Sequence, residues 1–218
     1  MQIVDRTQLS LAAAALNRGE LVVVPTRRWY MVCCRADDAS ACEAIFAAKR
    51  RPLDKRLLLA LKSREAAHRL FHIGRDAEAL MMSLWPGDLA LLLTWRSASL
   101  GKTYAATGAE VALVGSPDEV FGELTMHAEA PLAATSANLS GSEATFGIGP
   151  AISVPEVLAF VTESAMEVGY VIDGGICPQF VHMTIADCSD PLGDASIVRE
   201  GAVHRRVVES VLQPARSG

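Results

Sequence analysis

The sequence predicts one α/β domain built on a mixed open sheet with flanking helices. Three observations carry this. Short apolar runs bounded by Gly, Pro or Ser alternate with segments of helical period along the chain. No stretch rich in Pro, Gly or Ser divides the chain, and no internal repeat occurs. With 218 residues, half of them hydrophobic and 21% charged, there is enough chain to bury a sizeable core, and the composition is not that of a disordered segment. The domain is expected over residues 1–212, with 213–218 a flexible tail.

The elements are predicted as follows. Thr7 can cap a helix over 7–18 whose apolar face is Leu9, Ala12, Ala13 and Leu16, and Gly19 can end it. Leu21–Val24 is a β-branched run and reads as a buried strand, closed by Pro25 and Thr26. Residues 26–31 are expected as strand-end loop, followed by a helix over 39–49. Leu57–Leu61 is a strand, Ser63 caps a helix to about Phe71, and Asp76–Leu84 is a helix stopped by Trp85-Pro86-Gly87. Leu89–Thr94 and Val111–Val114 are strands around a loop over 97–110. Pro117–His127 suits a helix with Pro in its first turn. Leu132–Thr135 is a strand, 142–152 a mobile loop, and Ser153 caps a helix over 155–165. Strands at 169–172, 181–187 and 196–199 precede a closing helix over 204–212.

Composition excludes several classes. A formal net charge of −5 argues against nucleic-acid binding by the whole surface, though not by one local groove. The longest apolar runs are far too short to span a bilayer, so no membrane partner is expected. Residues 1–20 lack a secretory pattern, which reads as a cytoplasmic protein. The five cysteines are odd in number, and none stands in Cys-x-x-Cys spacing. That supports neither a disulfide framework nor a zinc site; reduced thiols and no tightly bound metal are expected.

Chemistry concentrates in a few stretches. Lys49–Leu57 holds five cations in nine residues, with Pro52 breaking any helix that enters it. Concentrated positive charge on a constrained turn suits phosphate, although an isolated basic run is commonly a solvated loop. Thr26-Arg27-Arg28-Trp29-Tyr30-Met31 mixes cations and aromatics at a strand end, where ligands gather in open α/β sheets. Ser136-Ala137-Asn138-Leu139-Ser140-Gly141 follows another strand. Asp173-Gly174-Gly175, Thr184-Ile185-Ala186-Asp187 and Val198-Arg199-Glu200-Gly201-Ala202-Val203 complete the set. Taken singly, these are turns and strand-end charges.

In this order the stretches resemble the YrdC-like family, which includes the threonylcarbamoyl-AMP synthases of tRNA modification. The resemblance covers roughly residues 8–212, and its specific parts are Lys49-x-Arg51-Pro52 and Ser136-Ala137-Asn138-x-Ser140-Gly141. It implies a twisted sheet around a basic concave surface. It also implies a nucleotidyltransferase that condenses threonine, bicarbonate and ATP with Mg2+ into threonylcarbamoyl-adenylate and pyrophosphate. Lys49 and Arg51 would then be catalytic and meet the nucleotide phosphates, since such chemistry needs mainly positioning and charge neutralisation. Lys55, Ser136, Asn138 and Arg199 would complete the nucleotide site. Thr26, Tyr30, Thr135 and Thr184 would bind the other substrate.

The amino-acid half departs from the family pattern. Arg27 and Arg28 stand where an acid and a Thr are usual, Met31 where a Gly is usual, Ala60 near a usual His, and Met183 at a usual Ser. The Pro-Gly-Pro-x-Thr stretch reads Pro86-Gly87-Asp88-Leu89-Ala90, and no Arg precedes Pro117. A second reading is therefore a non-catalytic paralogue that binds nucleotide or RNA, tRNA or double-stranded, through Arg27, Arg28, Arg50 and Arg56 interleaved with Trp29 and Tyr30. A carbamoyl-transfer relative of the hydrogenase-maturation type is a third. A homodimer is carried as an expectation of assembly.

Overall fold

The computed structural model describes residues 1–141, 149–178 and 181–217, with side chains through Ala215. The strands are β1 (Gln2–Val4), β2 (Leu21–Pro25), β3 (Tyr30–Arg35), β4 (Leu58–Ala60), β5 (Leu89–Thr94), β6 (Val111–Gly115), β7 (Leu132–Ser136), β8 (Val168–Ile172), β9 (Thr184–Asp187) and β10 (Ser196–Arg199). They form one mixed sheet in the order β1-β8-β2-β3-β7-β4-β6-β5-β9-β10. The helices are α1 (Leu9–Asn17), α2 (Ala39–Ala48), α3 (Arg64–Leu70), α4 (Arg75–Leu84), α5 (Ala98–Thr103), α6 (Glu119–His127), α7 (Val154–Ser164) and α8 (Arg205–Ser217). The expected α/β class with a mixed sheet and flanking helices is what is found.

The period-2 alternation of each strand divides the interior into two clusters. Val32, Leu59, Leu91 and Val114 point to the side packed by α2, α3, α4, α7 and α8. Val22, Val24, Met31, Leu58 and Ala90 point to the side where α1 and α6 pack through Leu9, Leu16, Phe121 and Leu124. In register across β4, β6 and β5, Leu58 faces Leu113 and Leu113 faces Leu92. Leu92, Leu113 and Ile185 remain partly exposed on that second side, so this end of the sheet presents an open apolar face.

Several elements differ from expectation. Residues 30 and 31, expected in the strand-end loop, instead begin a strand that runs to 35, because Tyr-Met-Val-Cys-Cys is a continuous apolar run that pairs with β2 and β7 at once. β1 pairs parallel with β8 through only three residues. Within the expected 97–110 loop, Ser97 accepts from Leu100 N–H and starts α5. The strand expected over 181–187 begins at Thr184, and α6 begins at Glu119 behind Asp118. The last helix continues to Ser217 with Pro214 inside it. Of the loop expected over 142–152, residues 142–148 lie outside the described residues.

Candidate functional site

α2 starts at Asp38, whose carboxylate accepts from Ala41 N–H, and ends on Lys49. That delivers Lys49 beside the end of β7, where its ammonium donates to the carbonyls of Ser136 and Asn138. Asn138 Oδ1 lies 3.3 Å away, and the ring of Phe160 is 5.3 Å from the ammonium. The return bond is Ser140 N–H to Lys49 O at 3.0 Å, and Ser136 Oγ donates to Asn138 Oδ1 at 2.7 Å. The 136–140 turn is thus tied to Lys49 at both ends. Lys49 is 1% exposed, and burial together with the charge of Arg51 pushes it down to about 7. The oxygens around it complement the protonated form.

Lys49 was expected at the nucleotide phosphates, and the structure buries it against main chain. Its donors are spent on main chain and on Asn138, so it positions the loop whose Ser136, Asn138 and Ser140 stay partly exposed. Arg51 lies nearby and braces the basic turn, donating to Lys55 O at 3.0 Å and Arg56 O at 2.7 Å. It remains partly exposed. Arg50, Lys55 and Arg56 are exposed, so the tip of this turn presents free cations beside the loop.

Thr26, Tyr30, Thr135 and Thr184 were expected at a second substrate. Thr26 Oγ1 instead closes its own turn, donating to Trp29 O at 2.8 Å and accepting from Arg28 and Trp29 N–H. Tyr30 is fully buried. Its hydroxyl donates to Gly175 O at 2.8 Å and accepts from Gly174 N–H at 3.1 Å, and burial pushes it up to about 12. Thr135 lies inside β7 at 6% exposure. Thr184 is fully buried, donating to Val203 O and accepting from Gly201 and Val203 N–H. The Tyr30 hydroxyl shapes the Gly174–Gly175 turn and the Thr184 hydroxyl the turn at Gly201. The glycines are needed there: a Cβ at Gly201 would sit 2.1 Å from His182 O, and one at Gly174 2.5 Å from Pro25 Cγ.

Arg27 and Arg28 were expected to meet RNA, and the cation–aromatic stretch that carries them is largely buried. Trp29 is 7% exposed, Arg28 4% and Tyr30 0%. Arg27 is exposed, but Asp118 at 3.0 Å and Glu119 at 2.9 Å answer its charge. Arg28 instead reaches Asp88, just ahead of β5. The Trp29 ring meets His182 edge-on at 5.0 Å. Arg199 donates to Met183 O at 3.1 and 3.2 Å and stays exposed. Asp88 was noted only as a departure within Pro86–Ala90 and His182 was not singled out; with about sixty and about 150 residues between partners, nothing local signals those contacts. Among the described residues, no group of three or more His, Cys, Asp or Glu side chains could hold a metal ion. Among them, too, no helix is long and apolar enough to cross a membrane.

Comparison with known proteins adds the following. The family model Sua5_yciO_yrdC, described as "Telomere recombination", matches residues 14–201. A threonylcarbamoyl-AMP synthase of Bacillus subtilis is 29% identical over 209 residues, covering 95% of this chain and 57% of its own length. The human threonylcarbamoyl-AMP synthase is 31% identical over 196 residues, covering 88% of this chain and 67% of its own. The crystal structure of Pyrococcus abyssi Sua5 complexed with L-threonine superposes with a TM-score of 0.83 at 27% identity, covering 98% of this chain and 61% of that one. The chain therefore spans less than two thirds of several of the proteins it matches.

Proposed function

Because the chain belongs to the Sua5_yciO_yrdC family, we propose that it is an ATP-dependent synthase of carbamoyl-adenylates, with threonylcarbamoyl-AMP the reference product and tRNA N6-threonylcarbamoyladenosine modification its setting. In this reading the amine of an amino acid attacks bicarbonate, water leaves, and a carbamate forms. A carbamate oxygen then attacks the α-phosphorus of ATP. The bond to the β-phosphate bridging oxygen breaks, and pyrophosphate departs with the Mg2+ that arrived on the nucleotide. Arg51 and the tip cations Arg50, Lys55 and Arg56 set positive charge against the phosphates. Ser136 and Asn138 offer a hydroxyl and an amide to the nucleotide, and Lys49 holds the loop that carries them. Catalysis on this account is positioning and charge neutralisation. The free, buried thiols suit a reducing cytoplasm.

The observation that carries the reading is the knot of Lys49 with Ser136 and Asn138, which joins the two specific motifs into one site. The rival reading, an RNA binder without catalysis, loses its stacking surface with the burial of Trp29 and Tyr30. Calorimetric titration with ATP–Mg2+ tests the nucleotide half. Saturable binding that weakens at least about tenfold in Asn138→Ala, as expected for losing a hydrogen bond to a charged ligand, supports it. No binding, or binding indifferent to Asn138, contradicts it.

A further inference from the structure

A pocket of about 190 Å³ lies where β4 ends and the chain enters β7, between α3, Tyr104 and the segment after α6. It touches none of the motifs at the nucleotide loop. Pro131 lines it, whereas Ser136 closes β7, about 15 Å further along the strand.

The floor of this pocket is apolar. Leu61 and Ala66 are buried and Leu70 is half-buried. Tyr104 supplies an aromatic wall that is held from behind. Its ring stacks on Trp95, 5.4 Å between centroids and 13° between planes. Trp95 in turn meets Phe71 at 4.3 Å and donates to Gly108 O at 2.7 Å. A wall fixed in this way costs a ligand little ordering.

The rim is charged, and its positive charge is unspent. Lys62 and Arg69 line the pocket, both are exposed, and neither makes a hydrogen bond or ion pair among the described residues. The acid on the rim, Glu129, is 71% exposed and turns to Arg35 at 3.7 Å, which also holds Asp37 at 2.8 Å. The Thr125 hydroxyl donates to Gly122 O at 2.7 Å, so its proton is already placed. Two cations over an apolar floor match a monoanion with an apolar body. A guanidinium fork and an ammonium together answer the two oxygens of a carboxylate. Pockets for drug-sized ligands run to about 300–1,000 Å³, so this one takes about ten heavy atoms, one ring and its acid group.

We propose that this pocket binds a small aromatic carboxylate, benzoate in size, with the carboxylate between Lys62 and Arg69 and the ring against Tyr104 over Leu61, Ala66 and Leu70. The site is separate from the nucleotide loop and does not depend on the reaction proposed above. An aromatic body is favoured over a saturated one, because ring contact with Tyr104 adds about two- to tenfold beyond the area buried.

The test titrates the protein with para-fluorobenzoate and with its neutral counterpart para-fluorobenzamide. Fluorine NMR follows the ligand, and carbon-resolved NMR follows the alanine and leucine methyls of the protein. The acid is expected to saturate with a Kd of about 1 mM or tighter. The amide should bind at least about tenfold more weakly, and the methyls of Ala66 and Leu70 should shift. Lys62→Gln combined with Arg69→Gln should weaken the acid at least about tenfold and leave the amide unchanged. Both positions are exposed, and an unchanged urea midpoint confirms the fold. Ala130→Phe, at a half-buried position lining the pocket, should fill it and abolish binding of both ligands. Arg50, Lys55 and Arg56 changed together to Gln should leave the affinity as it is. No saturation by about 10 mM, equal affinity for the amide, or indifference to the Lys62 and Arg69 changes overturns the proposal. So do parent-like binding by Ala130→Phe, shifts confined to other methyls, or loss of binding with the basic turn.

Discussion

Replacing Lys49 by Met tests the buried ammonium directly, because two opposing energies meet there. The substitution keeps the length of the chain and removes the charge. It strips donors from the carbonyls of Ser136 and Asn138, while Asn138 Oδ1 keeps the hydroxyl of Ser136 at 2.7 Å. Two orphaned acceptors cost about 2–6 kcal/mol. Against this, a lysine lowered from 10.5 to about 7 carries a burial penalty of about 5 kcal/mol in its charged form. The two nearly cancel, so at pH 7 the variant should lie within about 2 kcal/mol of the parent. The pH dependence does not cancel. The folded value lies below the unfolded one, so between pH 7 and pH 10.5 the unfolded chain holds a proton that the folded chain lacks, and stability of the parent rises with pH. Below pH 7 both states are protonated and the penalty is fully present. From pH 7 to about pH 9.5 the parent should gain about 3 kcal/mol relative to Lys49→Met. Urea unfolding followed by tryptophan fluorescence at both pH values measures it, with equal slopes in denaturant as the control. Cysteine and tyrosine titrations are common to both proteins and drop out of the difference. A difference that stays flat with pH refutes the reasoning: the carbonyl ligands would then be offsetting burial, and Lys49 would be charged throughout.

Three further outcomes follow from the same geometry. ATP binding at pH 8 should take up close to one proton, about 0.9 at most for a group near 7, because the triphosphate raises the neighbouring Lys49; calorimetry in buffers of different ionisation enthalpy reads this, and zero uptake places the phosphates away from Lys49. Tyr30→Phe should cost about 1–3 kcal/mol, since Gly174 N–H and Gly175 O lose their shared partner; an unchanged urea midpoint would show that the hydroxyl does not clamp this turn. Any RNA binding should be local to the exposed turn, so that Arg50, Lys55 and Arg56 together changed to Gln flatten the log–log salt slope by about 2; an unaltered slope removes the turn from the interface.

The sheet was largely legible because its strands are apolar runs stopped by Pro or Gly: Leu21–Pro25, Leu89–Thr94 and Val111–Gly115 lie close to where the pattern puts them. β3 was not, although Tyr30–Cys34 is as apolar as its neighbours, because the cations before it draw the eye to a loop. The pairing of the two specific motifs was legible as order along the chain, and it emerges as contact between Lys49 and the 136–140 turn. Which side chains face inward was not legible. Thr184 and Tyr30 are motif residues whose hydroxyls serve backbone turns, and only tertiary packing shows that. The Arg28–Asp88 pair spans 60 positions and crosses from the β2–β3 turn to the start of β5, a contact that no local pattern encodes.

The central claim is that this chain turns ATP, bicarbonate and an amino acid into a carbamoyl-adenylate. The most direct measurement supplies 13C-bicarbonate with ATP–Mg2+ and threonine, and analyses the products by mass spectrometry. The account predicts pyrophosphate together with an adenylate that bears the amino acid and one heavy carbon, lost when bicarbonate or the amino acid is left out. ATP left intact, ATP cleaved to ADP and phosphate, or an adenylate without the heavy carbon would contradict it.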